Sequence, residues 1–443
     1  MKNLLAALLI VVTFNLCSYG NQGGTESLPD YIAGRAKPVT SSANLDLIIQ
    51  AAGDRKLALL GEASHGTHEY YAWRDSISRR LIAEKGFNFI AVEGDWASLY
   101  ELNRYVKNMP GAASSAREVL LGLDRWPLWM WGNEEVVALA EWLREFNEPL
   151  PAEEKVGFYG MDVYDEWRSK RALLDLLAEL NPDLHKQVHA LLACFRPFNG
   201  DSWAYARSVQ RGMQSCEGEF QQIVKLVEEE LAGQSDIYRY DHFYVLQNAL
   251  VVMHAEKFYR KAVASQDASS WNSRANYMNL TVNRLLELYG PDSKGIVWAH
   301  NTHVGDARFT EMRQFRQENI GQMAREQHGP ENVFIVGFST YRGNVKAGSE
   351  WGSAMRNMRV PGARSNSIEN KFSQTGLDRF VMVFNEEDRQ HEAFNEPIGN
   401  RAIGVVYTPA RDHQQNYVLS IVPLRYDAML FFRETRALNP LRR

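Results

Sequence analysis

The 443-residue sequence has little cysteine, no cluster of basic residues and no long apolar run after its first residues. It contains three cysteines and carries a formal net charge of −5. Nucleic-acid binding depends on clustered cations that neutralise phosphates, so it is not expected here. No membrane span is expected either, because no later segment is long enough to cross a bilayer. Hydrophobic residues make up 45% of the chain, which is enough for a large globular core.

Residues 1–20 have the pattern of a signal peptide. The apolar run at 4–14 is too short to span a bilayer, and Gly20 is a suitable small residue at a cleavage site. We therefore expect a secreted or periplasmic protein. A lipoprotein anchored through Cys17 is the less favoured alternative, because the residue before a lipidated cysteine should be small and Leu16 is not.

Two cysteines, Cys194 and Cys216, remain if cleavage follows Gly20. Two cysteines close in sequence form a reasonable disulfide pair in an oxidising compartment. The alternative is a pair of buried free thiols. We expect the bridge.

Short apolar runs alternate with helical patterns along most of the chain, after a polar linker predicted for residues 21–44. Such runs, without polar alternation, are typical of strands covered on both faces. They lie at 57–60, 89–92, 156–159, 296–298, 333–336, 380–383 and 405–407. Between about 166 and 290 the pattern is helical. We predict one α/β domain over 45–443, with a largely parallel sheet flanked by helices and a long helical insertion.

Polar residues follow four of these predicted strands, where open parallel sheets bind their ligands. They are Glu62 and His65 after the first strand, Glu93 after the second, Asp162 after the third, and His300 and His303 after the fourth. Carboxylates and imidazoles that gather at one edge of a sheet indicate a catalytic or binding site.

The first of these segments has a readable local structure. Thr67 is a good N-cap and Gly86 a good C-terminal stop for a helix over 68–85. His65 then lies at the mouth of the helix. Arg74 lies about two turns into it, and its long side chain can reach back toward the strand ends.

Histidine is the side chain best matched to proton transfer near neutral pH. We expect His65 to be a general base that activates water, with Glu62 or Glu93 to orient it. His300 and His303 are expected to supply donors to an oxyanion. For any one of these histidines the alternative is a hydrogen-bonded core or surface residue, and Glu62 alone is also a plausible charge partner of the helix N-terminus.

Other catalytic designs fit less well. The segment 337–341 lacks the final glycine of a Gly-x-Ser-x-Gly nucleophile turn, and no zinc-protease motif or phosphate-binding glycine loop is present. A metal remains chemically possible, because histidine and carboxylates are ordinary zinc ligands. Its ligands would be Glu62, His65, Glu93 and His300. We expect no required metal or cofactor.

At these residues the sequence resembles the erythromycin esterase family. The matching segments are 61–69 with Arg74, 92–95, 159–162, 297–306, 319–322, 337–341, 426–429 and 435–438. The resemblance runs from about residue 45 to the C-terminus. It implies an α/β fold with helical insertions and hydrolysis of a small-molecule ester or lactone, in some members a macrolide, without an acyl-enzyme. The family's active-site positions are occupied by Glu62, His65, Arg74, Glu93, His300 and His303.

One segment departs from the family pattern. Relatives tend to carry Arg-Asp where this chain has Arg274-Ala275, and the missing acid concerns the substrate more than the core chemistry. We expect Asp162 and Arg274 to contact the substrate. Trp129 is a further candidate for lining an apolar substrate cleft, although core packing is the favoured interpretation of the aromatic segment 126–131.

A secreted haem- or metal-binding protein on a related fold is the competing hypothesis. The resemblance to such a group implies iron held by histidine or tyrosine. Haem ligation needs only one or two of the polar residues at the strand ends. The full set therefore favours the enzyme.

Overall fold

The structure is a computed structural model that describes residues 27–198, 200–232 and 239–442. The predicted signal peptide over 1–20 and the lipidation alternative at Cys17 lie outside these described residues. None of the described helices is long and apolar enough to cross a membrane.

The strands and α-helices follow one another in an α/β order. The strands are β1 (Lys37–Pro38), β2 (Leu57–Leu60), β3 (Phe89–Asp95), β4 (Gly157–Asp162), β5 (Gly295–Trp298), β6 (Val333–Ala347), β7 (Arg356–Val360), β8 (Arg379–Val383), β9 (Ile398–Arg401), β10 (Tyr417–Ser420) and β11 (Ala428–Thr435). The α-helices are α1 (Leu28–Arg35), α2 (Asp46–Ala52), α3 (His68–Lys85), α4 (Trp96–Val106), α5 (Ala116–Leu121), α6 (Glu134–Asn147), α7 (Glu166–Leu180), α8 (Pro182–Leu191), α9 (Ser202–Gln210), α10 (Glu217–Leu231), α11 (Arg239–Ala264), α12 (Ser269–Tyr289), α13 (Asn301–Val304), α14 (Ile320–His328), α15 (Ile368–Gln374), α16 (Glu386–Gln390), α17 (Asp412–Gln415) and α18 (Val422–Arg425).

Within the described ranges, one nine-stranded sheet forms the centre of the molecule. Its order is β1-β8-β11-β6-β2-β5-β3-β4, and β7 pairs with the far end of β6. The neighbours from β11 to β4 all run parallel, whereas β1, β8 and β7 pair antiparallel. β9 and β10 form a separate two-stranded sheet. The predicted fold class, a largely parallel α/β sheet flanked by helices, is confirmed.

The central strands are apolar because both faces of the sheet are covered. In β2, Leu57 and Leu59 pack in one core cluster, whereas Ala58 and Leu60 pack in the cluster on the opposite face. All four residues are at most 1% exposed. Successive side chains of a strand point to opposite faces, so an unbroken apolar run is what burial on both sides requires.

The strands differ from the prediction in two ways: one predicted run is not a strand, and β1, β7, β9, β10 and β11 were not predicted. Residues 405–407 do not form a strand, and Val406 makes only an isolated bridge to Gly348. The prediction at 405–407 was therefore wrong, because a short apolar run also suits a loop that packs against a cavity wall. β11 was missed, although it pairs with β6 on one side and with β8 on the other.

The described part of the predicted linker is folded. Helix α1 buries Tyr31 and Ile32, and β1 pairs with β8 through Lys37 and Pro38 at the edge of the sheet. The linker prediction is thus incorrect from residue 28 to residue 38. A polar composition does not exclude a short amphipathic helix that buries only two apolar side chains.

The segment between β4 and β5 contains the helices α7 to α12. Cys194 and Cys216 lie within it and are joined by a disulfide, with their Cα atoms 6.0 Å apart. This is the pair that the sequence predicts. The first turns of helix α12 lie at the carboxyl edge of the sheet and contribute to the site described below. Its C-terminal end leads into β5.

Candidate active site

A cavity of about 450 Å³ lies where the carboxyl ends of the central strands meet, a volume suited to a small molecule. Six of the predicted site residues line it: His65, Glu93, Asp162, Arg274, His300 and His303. Glu62 and Arg74 lie behind this wall and are fully buried. The structure thus brings together eight of the residues that the sequence singled out.

Close backbone packing shapes the turn between β2 and α3. A Cβ atom on Gly61 would collide with the side-chain oxygen of Asn301, and one on Gly66 would collide with the carbonyl of Lys346. Helix α3 begins and ends where the sequence predicts, and Gly86 ends it with a φ of 70°. The predicted Thr67 side-chain cap is absent.

That threonine hydroxyl pairs with Ser64 instead. The turn is therefore held by side-chain and backbone contacts on both sides of His65. His65 itself is 7% exposed, and its ring lines the cavity.

Glu62 connects His65 to Arg74. Its Oε1 lies 2.8 Å from the Nδ1 of His65, and its Oε2 accepts a hydrogen bond of 2.8 Å from Arg74. The Arg74 guanidinium also lies against the rings of Tyr71 and Trp298. The other ring nitrogen of His65, Nε2, makes no hydrogen bond within the described part of the chain, and it is the nitrogen left for a ligand.

Arg274 on α12 ties three strand ends together. Its guanidinium donates to both oxygens of Asp162, at 2.8 and 2.6 Å, and to the Oε1 of Glu93 at 2.8 Å. Its Nη1 lies 3.1 Å from the Nε2 of His303. All three guanidinium nitrogens are engaged with protein groups. The structure therefore places Arg274, expected to contact the substrate, as a bridge among site residues that also lines the cavity.

His300 has one buried ring nitrogen that makes no regular hydrogen bond to a described residue. Its Nδ1 accepts a hydrogen bond of 3.3 Å from the backbone N–H of Thr302 and lies 2.8 Å from the Thr302 hydroxyl. Because Nδ1 accepts, the neutral ring is assigned its proton on Nε2. That Nε2 is buried and makes no hydrogen bond of normal geometry to a described residue, although the Ala63 backbone interacts with the ring. The backbone N–H of His300 donates to Glu93 at 2.9 Å, which fixes the start of the α13 turn.

The neighbouring imidazoles of His65 and His300 differ in the direction of their pKa shifts. Burial lowers the pKa of His65, but the carboxylates of Glu93 and Glu62 raise it by more, so the pKa lies above its usual value. Burial and the neighbouring charge of His65 hold the pKa of His300 well below its usual value. The ring centroids are 5.0 Å apart. One imidazole is thus poised to take a proton while the other stays neutral.

The acidic and cationic groups on the opposite wall are strongly coupled. Burial alone would raise the pKa of Glu93, but the electrostatic influence of the neighbouring His303, His65 and Arg274 side chains holds it well below its usual range. Burial would lower the pKa of Arg274, yet Asp162 raises it well above its usual value. Both groups are therefore ionised, and they place a negative and a positive charge side by side on this wall of the cavity.

The carboxylates that a metal would need are held by arginines. Glu62 pairs with Arg74, and Glu93 pairs with Arg274. Over the described ranges, no group of three or more histidine, cysteine or acidic side chains is arranged to hold a metal ion. The haem- or metal-binding hypothesis finds no support in this arrangement.

Trp129 does not line the cavity. It is 3% exposed and packs in the core cluster, so the prediction of a substrate contact there is incorrect and core packing is the better interpretation. Its neighbours Leu128, Met130 and Trp131 reach the cavity instead. Adjacent residues of a short helical turn point in different directions, and the sequence does not show which of several tryptophans points inward.

Three further groups of the site were not singled out from the sequence. Trp271 stacks on His303 with centroids 4.6 Å apart and an interplanar angle of 9°. Arg125 pairs with both oxygens of Asp95 at 2.6 Å. Trp271 lies three residues before Arg274 on α12, so helical spacing was a signal for it. Asp95 follows the Glu93 motif directly, but nothing in the sequence connects Arg125 with it.

The fold and the site together define an α/β protein with a histidine–carboxylate centre at the carboxyl edge of its sheet. The family model for erythromycin esterase matches residues 82–435. The chain belongs to the erythromycin esterase family. The matched range includes Glu93, Asp162, Arg274, His300 and His303, and it begins after the segment of Glu62, His65 and Arg74.

Similar proteins share this family or this fold. The erythromycin esterase type II of Escherichia coli is 29% identical over 111 residues, which are 25% of this chain and 24% of that protein. The chain therefore matches about a quarter of that relative's length. Three solved structures are similar in fold.

A succinoglycan biosynthesis protein has a TM-score of 0.75 and 18% identity, with 93% of this chain and 97% of that chain covered. A protein from Bacillus cereus has a TM-score of 0.73 and 20% identity, with 94% and 98% covered. A histidine-to-asparagine mutant of the erythromycin esterase EreC, in its open conformation, has a TM-score of 0.64 and 15% identity, with 90% and 97% covered.

Proposed function

We propose that this protein hydrolyses an ester or lactone bond of a small molecule, with a water that His65 activates. The observation that carries the proposal is the buried chain from Arg74 through Glu62 to His65, which ends at the cavity. A base oriented by a second group, beside a space for the reacting atoms, is what general-base hydrolysis requires.

The first step moves one proton and forms one bond. Neutral His65 takes a proton from water through Nε2, and the water oxygen attacks the carbonyl carbon. Glu62 accepts a hydrogen bond from Nδ1 and stabilises the imidazolium that forms. When the tetrahedral intermediate collapses, the carbon–oxygen bond to the leaving group breaks and the imidazolium returns its proton to the leaving oxygen. The products are a carboxylic acid and an alcohol.

The developing negative charge needs a donor that is already in place. His300 lines the cavity, and its buried Nε2–H makes no hydrogen bond of normal geometry to a described residue, although the Ala63 backbone interacts with the ring. The lowered pKa of His300 keeps its ring neutral, so the ring donates a hydrogen bond and does not transfer a proton to the intermediate. Glu93 and Arg274 support this role by fixing the backbone at His300.

The family suggests where to begin with substrates. Because similar proteins include erythromycin esterases, a macrolide lactone is the first substrate to test, followed by simple esters and smaller lactones. We also propose that the enzyme acts after export. The signal-peptide pattern of residues 1–20 and the Cys194–Cys216 bridge support this, since disulfides persist in oxidising compartments.

A substrate screen tests the proposal. Purified protein is incubated with macrolides, lactones and simple esters, and two signals are followed together: proton release at constant pH, and a product heavier by one water or cleaved into acid and alcohol. We expect at least one compound to give both signals in proportion to enzyme. If every compound stays intact while the protein remains folded, the proposal is wrong.

A further inference from the structure

The cavity of the proposed active site changes in character from its floor to its mouth. The histidines and carboxylates of the floor are almost fully buried. The part nearer the surface carries apolar groups, Leu123, Pro127, Leu128, Trp351 and Val405, beside the polar residues Asp124, Gln317 and Gln415. These apolar groups take no role in the proposed chemistry.

Trp351 is the most conspicuous group at the mouth. It is 62% exposed, although it belongs to a short polar loop and an indole ring gains much from burial. Its ring packs against that of Trp126, with centroids 4.6 Å apart and an interplanar angle of 57°. Trp351 lines the cavity, whereas Trp126 does not line it and packs against the Trp351 ring.

The loop that carries Trp351 is held in place before any ligand binds. Its first residue, Gly348, donates to the carbonyl of Val405 at 2.9 Å and accepts from the N–H of Tyr407 at 2.9 Å. At its other end the indole N–H of Trp126 donates to the carbonyl of Ser353 at 2.9 Å. A preformed site of this kind loses less entropy when a ligand binds.

Gly348 also lets the loop lie close to the indole pair. A Cβ atom there would be 3.0 Å from the Trp126 ring. The backbone of the loop therefore lies against the Trp126 indole, and the loop holds the Trp351 indole toward solvent. The arrangement favours a flat ligand group that packs on the exposed ring.

We propose that Trp351, which Trp126 holds in place, forms a binding subsite for a flat, apolar ring of the substrate, away from the bond that is cleaved. The inference rests on the proposed function, because it assumes that the polar floor is where the ester reacts. The subsite selects esters that carry an aromatic ring over small aliphatic esters. Selection arises from dispersion and apolar burial at the Trp351 indole, and no charge is involved.

The test measures binding apart from turnover. The His65→Asn protein, which is not expected to cleave esters, is titrated with naphthyl acetate in a calorimeter. Adding Trp351→Ala is expected to weaken binding by about tenfold, and Trp351→Phe should keep most of the affinity, because a phenyl ring still offers a flat face. Circular dichroism checks that each variant is folded.

Trp203 provides a matched control. It is 43% exposed on α9 and does not line the cavity, so Trp203→Ala should leave the affinity for naphthyl acetate unchanged. Equal affinity with and without Trp351→Ala, or no binding to the parent, overturns the subsite. If affinity falls as expected but the wild-type protein cleaves no ester, the proposed function fails and the subsite stands.

Discussion

His65 and Arg74 contact opposite oxygens of one carboxylate, that of Glu62, each at a distance of 2.8 Å. Both Glu62 and Arg74 are fully buried. The position of the imidazole is thus set by a charged pair inside the protein, and solvent has no part in it. A buried pair of this kind is costly to break, because either partner left alone carries an uncompensated charge.

Arg74→Met is therefore expected to lower the free energy of unfolding by about 3–5 kcal/mol, the typical cost of leaving a buried carboxylate without its cation. Urea denaturation measures the difference. Arg80→Met is the control from the same helix: Arg80 pairs with the partly exposed Glu84 and Asp46, so its loss should cost at most about 1 kcal/mol. A loss at Arg74 no larger than the loss at Arg80 would contradict the structural role of the pair.

The pH dependence of activity follows from the raised pKa of His65. A general base works when it is neutral, so kcat/KM should fall as the pH falls through that pKa, and the midpoint should lie above the ordinary histidine value of about 6.5. Glu62→Gln removes one of the carboxylates that raise the pKa, and it should move the midpoint to lower pH. A midpoint that stays in place in this variant would show that another group titrates.

Much of the fold and part of the site were predictable from the sequence. The unbroken apolar runs of the central strands are a direct result of burial on both faces, and three strand ends gave Glu62, His65, Glu93 and His300. The strand β11 was missed although its first five residues form an apolar run of the same kind, buried on both faces of the sheet.

The bridging position of Arg274 was not predictable from the sequence. Its contacts with Asp162 and Glu93 span 112 and 181 residues of sequence, and only the packing of α12 against the sheet brings them together. The direction of a side chain within a short turn is also not predictable from the sequence. Trp129 points into the core while Trp131 lines the cavity. Both are tryptophans, so the residue type gives no sign of the difference.

Chelation provides a separate prediction. We expect the hydrolase activity to survive exhaustive treatment with a chelator, because the carboxylates of Glu62 and Glu93 are already paired with Arg74 and Arg274. The measurement compares turnover of an identified substrate before and after treatment. Loss of activity that added zinc restores would contradict the expectation.

Reduction of the Cys194–Cys216 bridge is expected to lower the melting temperature more than it lowers activity at room temperature. The cysteines are 22 residues apart, and closing a loop of about this length stabilises a protein by roughly 3 kcal/mol in the chain-entropy model. The bridge lies in the insertion, away from the strand ends. Protein expressed with residues 1–20 and released from the periplasm should show no free thiols when denatured without reductant, and two free thiols would mean that there is no bridge.

The most direct test of the account is the turnover of an identified substrate by His65→Asn. Asparagine keeps a polar side chain but cannot accept a proton from water, so kcat should fall by about 10² to 10⁴ while the fold remains intact. His189→Asn is the matched control, because His189 is exposed on α8 and does not line the cavity. The account predicts a large loss at His65 and none at His189. A folded His65→Asn protein that turns over substrate at the wild-type rate would contradict it.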